Sequence, residues 1–254
     1  MEQHGRRLQL SISRRLIGEL AYFAGKVPSM AVQRRMELAR VVAARQQAAP
    51  RPGWCALFTK AYAIVSARRP ELRQAYFGFP WPHLYEHPIN VASVGIDRPE
   101  GDASAVVFGQ IARPESLSLV EVEALIRRYK EEPIETNVPF CRMLNKSRLP
   151  RPLRRLLWWH TLSSSGRRRA ATLGTFSITT VGGFGAAIFH PHSPLTTTLS
   201  YGIIAADSAV DVSLTFDPRV LDAATAAHAL GELEDVLNHD IIRELGYLRG
   251  LDAA

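Results

Sequence analysis

Cysteine is scarce: Cys55 and Cys141 are the only two in 254 residues, too few for a disulfide framework. They read as small core residues in a reducing compartment. Long apolar runs are missing as well. The most apolar stretch, residues 54–67, is broken by Lys60 and is too short to cross the roughly 30 Å of a bilayer's hydrocarbon. The segment from Met1 to Arg7 is polar and no apolar run follows before Arg14 and Arg15, so no secretory leader is expected. Together these shortages point to a soluble, cytoplasmic protein. Acidic residues are also in deficit, with 31 Lys and Arg against 24 Asp and Glu and a formal net charge of +7. Such an excess favours polyanionic partners as a class, namely CoA phosphates, acidic lipid headgroups, nucleic acid or acidic protein surfaces, and selects none of them. No P-loop and no metal-ligand spacing occurs, and Gly182-Gly183-Phe184-Gly185 lacks a dinucleotide-binding context. No nucleic-acid motif is present either, so nucleic acid is not an expected partner.

What is present is enough to bury a core, at 46% hydrophobic residues. Residues 13–24 form an amphipathic pattern (Leu16, Leu20, Phe23) with Ser13 placed to cap it. A strand is expected over 30–36, then helices over 37–47 and 54–68. Strand-like runs follow at 73–77, 90–97 and 103–108. Ser118-Leu119-Val120-Glu121 is a capping box opening a helix to about Lys130. Residues 175–180 and 196–204 read as buried strands. Val210, Val212, Leu214 and Phe216 alternate with polar residues as one face of another strand. Asp222 then caps a last helix carrying Ala226, Leu230, Leu233 and Leu237. Strands and helices mix without strict alternation, which predicts an α+β fold with a mixed sheet flanked by helices. With no repeat or spacer, a single domain over residues 13–245 is expected, between tails at 1–12 and 246–254.

The most informative stretch is 174–238. It holds Thr175-Phe176-Ser177-Ile178-Thr179-Thr180-Val181-Gly182, a loop bearing Pro191 and Pro194, an apolar strand, and Phe216-Asp217-Pro218-Arg219-Val220-Leu221-Asp222-Ala223. This order resembles the catalytic domain of the dihydrolipoamide acyltransferases of 2-oxoacid dehydrogenase complexes, and more distantly chloramphenicol acetyltransferase. Weaker likenesses lie upstream: Arg14-Arg15-Leu16-Ile17, Lys60-Ala61-Tyr62-Ala63 with Arg69-Pro70-Glu71-Leu72, Asn90-Val91-Ala92, and Leu117-Ser118-Leu119. The resemblance implies a chloramphenicol acetyltransferase-like fold, a homotrimer with its channel between subunits, and CoA or acyl-CoA as ligand with no metal. The lipoyl and subunit-binding modules that usually precede this core are not seen in the sequence.

Acyl transfer from CoA needs a base for the attacking group and a donor for the tetrahedral oxyanion. The family motif D-H-R-x-x-D-G reads here Asp217-Pro218-Arg219-Val220-Leu221-Asp222-Ala223, so Pro218 stands where the resemblance places the histidine. Proline cannot accept a proton. Thr179 and Thr180 fall where the family has its oxyanion-stabilising hydroxyl, although β-branched residues also suit any strand. By resemblance Asp222 is structural and salt-bridges an arginine, with Arg14 and Arg15 as candidates. His190 and His192, flanking Pro191, are the candidate substitute bases, and His160 is a further one. Either the domain is a pseudoenzyme that binds acyl-CoA, scaffolds a complex or completes the site of a histidine-bearing paralogue, or it is an acyltransferase using another base.

Residues 148–169 form a basic insert. Arg151, Arg154 and Arg155 alternate with Leu153, Leu156, Trp158 and Trp159, and Arg167-Arg168-Arg169 follow. A helix touching an anionic lipid surface has this pattern, and would place the protein peripherally at a membrane. So does a helix that packs its tryptophans on the domain and keeps its arginines wet.

Overall fold

The computed structural model describes residues 5–100 and 103–249. Six strands form one mixed sheet: β1 (Met30–Glu37), β4 (Val91–Glu100), β5 (Ala103–Ala112), β6 (Phe176–Thr179), β7 (Thr197–Tyr201) and β8 (Ala209–Phe216), in the order β1-β8-β7-β6-β4-β5. The β4–β6 and β6–β7 pairs are parallel and the others antiparallel. A separate hairpin joins β2 (Gln74–Phe77) to β3 (His83–Glu86). The helices are α1 (Ile12–Ala24), α2 (Ala39–Gln47), α3 (Trp54–Arg68), α4 (Leu119–Glu131), α5 (Val138–Ser147), α6 (Arg151–Ser163), α7 (Gly166–Leu173), α8 (Ala223–Val236) and α9 (Ile242–Arg249). The last two are joined by a π-helical segment at Leu237–Ile241. The expected α+β class is met.

Register divides the sheet into two unlike faces. Val94, Ile178, Leu199 and Leu214 are successive cross-strand partners, and all are buried in the larger core with α3 and α8. On the opposite face Ser93, Ser177, Thr198 and Thr215 align across the strands, as do Thr179, Ser200 and Ser213. The period of two puts every second side chain on this face, which is therefore a buried bed of hydroxyls. A second core, with Leu16, Leu20, Phe140, Trp158 and Leu162, joins α1, α5 and α6.

Several expected boundaries shift. Ser11, not Ser13, caps α1, accepting from the Arg14 backbone N–H at 3.2 Å. Glu37 belongs to β1 because it pairs with Ala209, so the following helix starts at Ala39. The helix α9 runs to Arg249, so residues 246–249 are not a tail. The outer parts of both expected tails, residues 1–4 and 250–254, lie outside the described residues. The capping box is present, with Glu121 accepting from the Ser118 backbone N–H at 2.7 Å.

Candidate functional site

The end of β8 carries the motif. Its Asp217 is 2% exposed and forms a forked pair with Arg219: Nε donates to Oδ1 at 2.9 Å and Nη2 to Oδ2 at 2.7 Å. The Arg219 guanidinium also lies 4.3 Å from the Tyr76 ring centroid. Pro218 thus sits between two residues whose side chains are tied to each other. The cavity here, about 240 Å³, is lined by Lys26, Tyr76, Phe77, Trp159, Arg169 and Arg219 among others, with no histidine among the described residues that line it. Arg169 is buried, donating to the Pro194 and Tyr76 carbonyls at 2.5 and 3.3 Å. Burial first, and the Arg219 charge after it, lower its pKa to about 10, while Asp217 opposes them.

A second cavity, also about 240 Å³, opens over the hydroxyl face. Ser93, Ser177, Thr179 and Thr198 contribute to its lining under Ile17, Leu20 and Phe108, with His192 on the loop beside it. The Thr198 hydroxyl is buried with no partner, while Ser177 donates to the Ser93 carbonyl at 3.1 Å. Thr179 and His192 are therefore brought into one cavity. His190 stands aside, its Nε2 2.9 Å from the Ser29 hydroxyl and its ring 5.2 Å from that of His192. Thr180 is committed elsewhere: its hydroxyl donates to the Tyr201 carbonyl at 3.0 Å and accepts from the Gly182 backbone N–H at 3.1 Å. It is not free to hold an oxyanion. His160 lies on exposed α6, 2.9 Å from the Ser164 hydroxyl, and lines neither cavity.

One sequence expectation is overturned, and part of the insert takes the packing reading. Asp222 makes no ion pair with Arg14 or Arg15 among the described residues. It caps α8, accepting from the Thr225 backbone N–H at 2.6 Å, and this bond lowers its pKa. The motif acid that is paired is Asp217, with an arginine two residues away. In the insert, Arg154 and Arg155 do not face lipid: both bind the buried Glu19 of α1, at 2.8 and 2.7 Å. Trp158 is fully buried. A buried carboxylate needs such partners, and the packing arrangement won. Arg151 and Trp159 do remain exposed, the latter against Phe79. The residues missed from sequence are Lys26, Tyr76 and Arg169 at the motif end, and Ser93, Ser177 and Thr198 on the bed. The alternation of Phe176-Ser177-Ile178 was the available signal for the bed; nothing local marked Arg169.

No protein-family model matches this sequence, and no curated protein matches it. Solved structures do. The dihydrolipoamide acetyltransferase of Azotobacter vinelandii, a structure concerned with a serine, a histidine and an asparagine in its catalytic mechanism, superposes with a TM-score of 0.67 at 16% identity, over 95% of this chain and 94% of that one. The truncated catalytic core of the 2-oxoacid dehydrogenase complex of Thermoplasma acidophilum gives 0.67 at 16%, over 92% and 99%. A chloramphenicol acetyltransferase gives 0.51 at 12%, over 91% and 100%. At these identities the likeness is one of fold, and the chain has the chloramphenicol acetyltransferase-like fold of the 2-oxoacid dehydrogenase acyltransferase cores.

Proposed function

We propose that this chain is a non-catalytic or strongly attenuated acyltransferase-like domain that binds acyl-CoA or scaffolds a complex. The observation that carries the reading is the motif end: Pro218 stands exposed between the mutually paired Asp217 and Arg219, and the cavity that Arg219 helps to line has cations and aromatics but no histidine among its described residues. General-base catalysis contributes roughly 10²–10⁴-fold, so loss of the histidine removes most turnover by the usual route. A homotrimer, or assembly with a histidine-bearing paralogue, accords with apolar side chains left exposed at Phe79, Trp81, Leu84, Leu156 and Trp159. The test is thiol release from acyl-CoAs of increasing length with simple acceptors, comparing the protein with Pro218→His. Turnover by the variant alone fits an intact channel in a retired enzyme. Turnover by the unaltered chain sinks the reading.

A second reading has its own observation, the placement of His192 beside Thr179 in the cavity over the hydroxyl bed. Here His192 would take the proton and Thr179 would donate to the oxyanion. It requires turnover in the unaltered protein that His192→Ala abolishes and His190→Ala spares.

A further inference from the structure

The cations on the surface of this protein fall into two sets. Arg34, Arg35, Arg68, Arg69, Arg73 and Arg128 all hold carboxylates within 2.9 Å. Many other cations, on several elements, have no carboxylate partner among the described residues, and α5 and α7 bring four of them together around one groove. Arg142, Lys146, Arg167 and Arg168 have no carboxylate within ion-pair distance among the described residues. Lys146 Nζ instead donates to the Thr161 hydroxyl at 2.9 Å and lies 5.1 Å from the Trp158 ring centroid. The Arg168 Nη1 sits 2.8 and 3.2 Å from the two nitrogens of His160. Burial alone accounts for the lowered pKa of Lys146.

Two cavities meet at this place, sharing Pro139 and Ala171 in their walls. One, about 550 Å³, is lined by Arg142, Lys146, Arg168 and neutral neighbours. The other, about 510 Å³, is mostly apolar, with Ile89, Val91 and Ala112 in its wall and Arg167 contributing the charge. Neither has an acidic residue among its described lining. The wall of the apolar cavity also includes His87 and Gln110. Gly166 packs behind this wall, since a Cβ there would stand 2.1 Å from the ring of Tyr85, which lines it.

We propose that the groove between α5 and α7 binds a single-chain amphiphile with a phosphate head: the head meets Arg142, Lys146 and Arg168, and the chain lies in the apolar cavity beside His87 and Gln110. An anion relieves like-charge repulsion among the unpaired cations. An apolar chain removes surface from water at about 25 cal/mol per Å². Ligand sites of this size are typically apolar with a few polar anchors. The groove shares no lining residue with the two cavities at the motif end and the hydroxyl bed, so this inference stands apart from the acyl-CoA reading.

Calorimetry at fixed ionic strength would compare decyl phosphate below its micellar concentration, inorganic phosphate and decanol. Decyl phosphate is expected to bind at least roughly tenfold more tightly than either fragment, about 1.4 kcal/mol. Ala171→Trp, at an exposed position in the wall common to both cavities, should weaken it by about tenfold or more. The double variant Arg142→Gln with Arg168→Gln should do the same without lowering the melting temperature. The proposal is overturned if inorganic phosphate binds as tightly as decyl phosphate, which would make the site an anion patch only. It also fails if Ala171→Trp binds normally, or if the protein associates only with vesicles of anionic phospholipid and not with the monomeric amphiphile. The Pro218→His assay can fail without touching any of these outcomes.

Discussion

The contact between α1 and α6 and the groove between α5 and α7 are both rich in arginine, and they use it in opposite ways. At the first, the carboxylate of Glu19, 3% exposed, is held by Arg154 and Arg155 at 2.8 and 2.7 Å, and Arg155 also lies 3.3 Å from the Tyr22 ring centroid. Those charges are spent on structure. At the second, Arg142, Lys146 and Arg168 line a cavity with no acid among its described residues. The insert thus supplies both arginines of the neutralised knot and, with Arg168, one cation of the unneutralised surface. The net charge of +7, taken over the whole chain, describes neither. What separates them is one acidic residue, 135 positions away from Arg154 in the sequence.

The comparison breaks most sharply at Glu19. Glu19→Gln leaves two partly buried guanidinium groups facing a neutral amide, and removing one partner from a buried pair costs about 3–5 kcal/mol. Urea unfolding should show that loss as a lower midpoint with an unchanged slope. A loss below about 1 kcal/mol would mean that this knot is as dispensable as a surface pair.

His87 gives the next effect and marks the groove from its buried side. The ring is 2% exposed, and burial, with the Arg169 charge second, pushes its pKa down to about 4. A folded pKa below the unfolded value of 6.5 means that the unfolded chain binds the proton first. The contribution of neutral His87 is therefore full above pH 6.5, declines as the pH falls, and levels off below pH 4. At 1.36 kcal/mol per unit the swing is at most about 3 kcal/mol. Stability measured from pH 7 to 4 should lose this slope in His87→Gln. If the slope persists, another group titrates in that window.

Much of this arrangement was legible before the structure, and the limit has a physical cause. Alternation along Val210 to Phe216 and the Ser118 capping box are local signals, and both elements form where they were expected. The order of residues from Gly174 to Ala223 carried the fold through its resemblance. Pairing of charges is not local. Asp222 caps α8 as its position predicted, but the ion pair expected with an arginine of α1 is absent among the described residues, and the paired motif acid is Asp217, with Arg219. The arginines of the insert read as amphipathic by spacing, and spacing cannot show that Glu19 waits opposite two of them. Thr179 and Thr180 are adjacent and of one type, yet one lines a cavity and the other is bonded to the Tyr201 carbonyl.

Gly166→Ala sharpens the same contrast through packing. The added Cβ would meet Tyr85 at 2.1 Å, and overpacking of this kind costs about 1–3 kcal/mol. The ring must move with it, so the variant should lose stability and also alter decyl phosphate binding. Lost stability with binding intact would show that the ring relaxes away from the groove.

The smallest expected effect is the one that best defines the groove. Arg168→Gln removes a charge that has no carboxylate partner among the described residues and touches only His160 on the neighbouring helix. A surface substitution of this kind should fall within about 0.5 kcal/mol of the unaltered protein, against the several expected for Glu19→Gln. Removing one of several like charges also lowers their mutual repulsion, so within that bound a small gain is expected, larger at low salt than at high because screening strengthens with ionic strength. Melting temperatures at two salt concentrations measure it directly. A clear loss of stability instead would place Arg168 among the structural cations and leave the groove with one fewer charge to offer an anionic head.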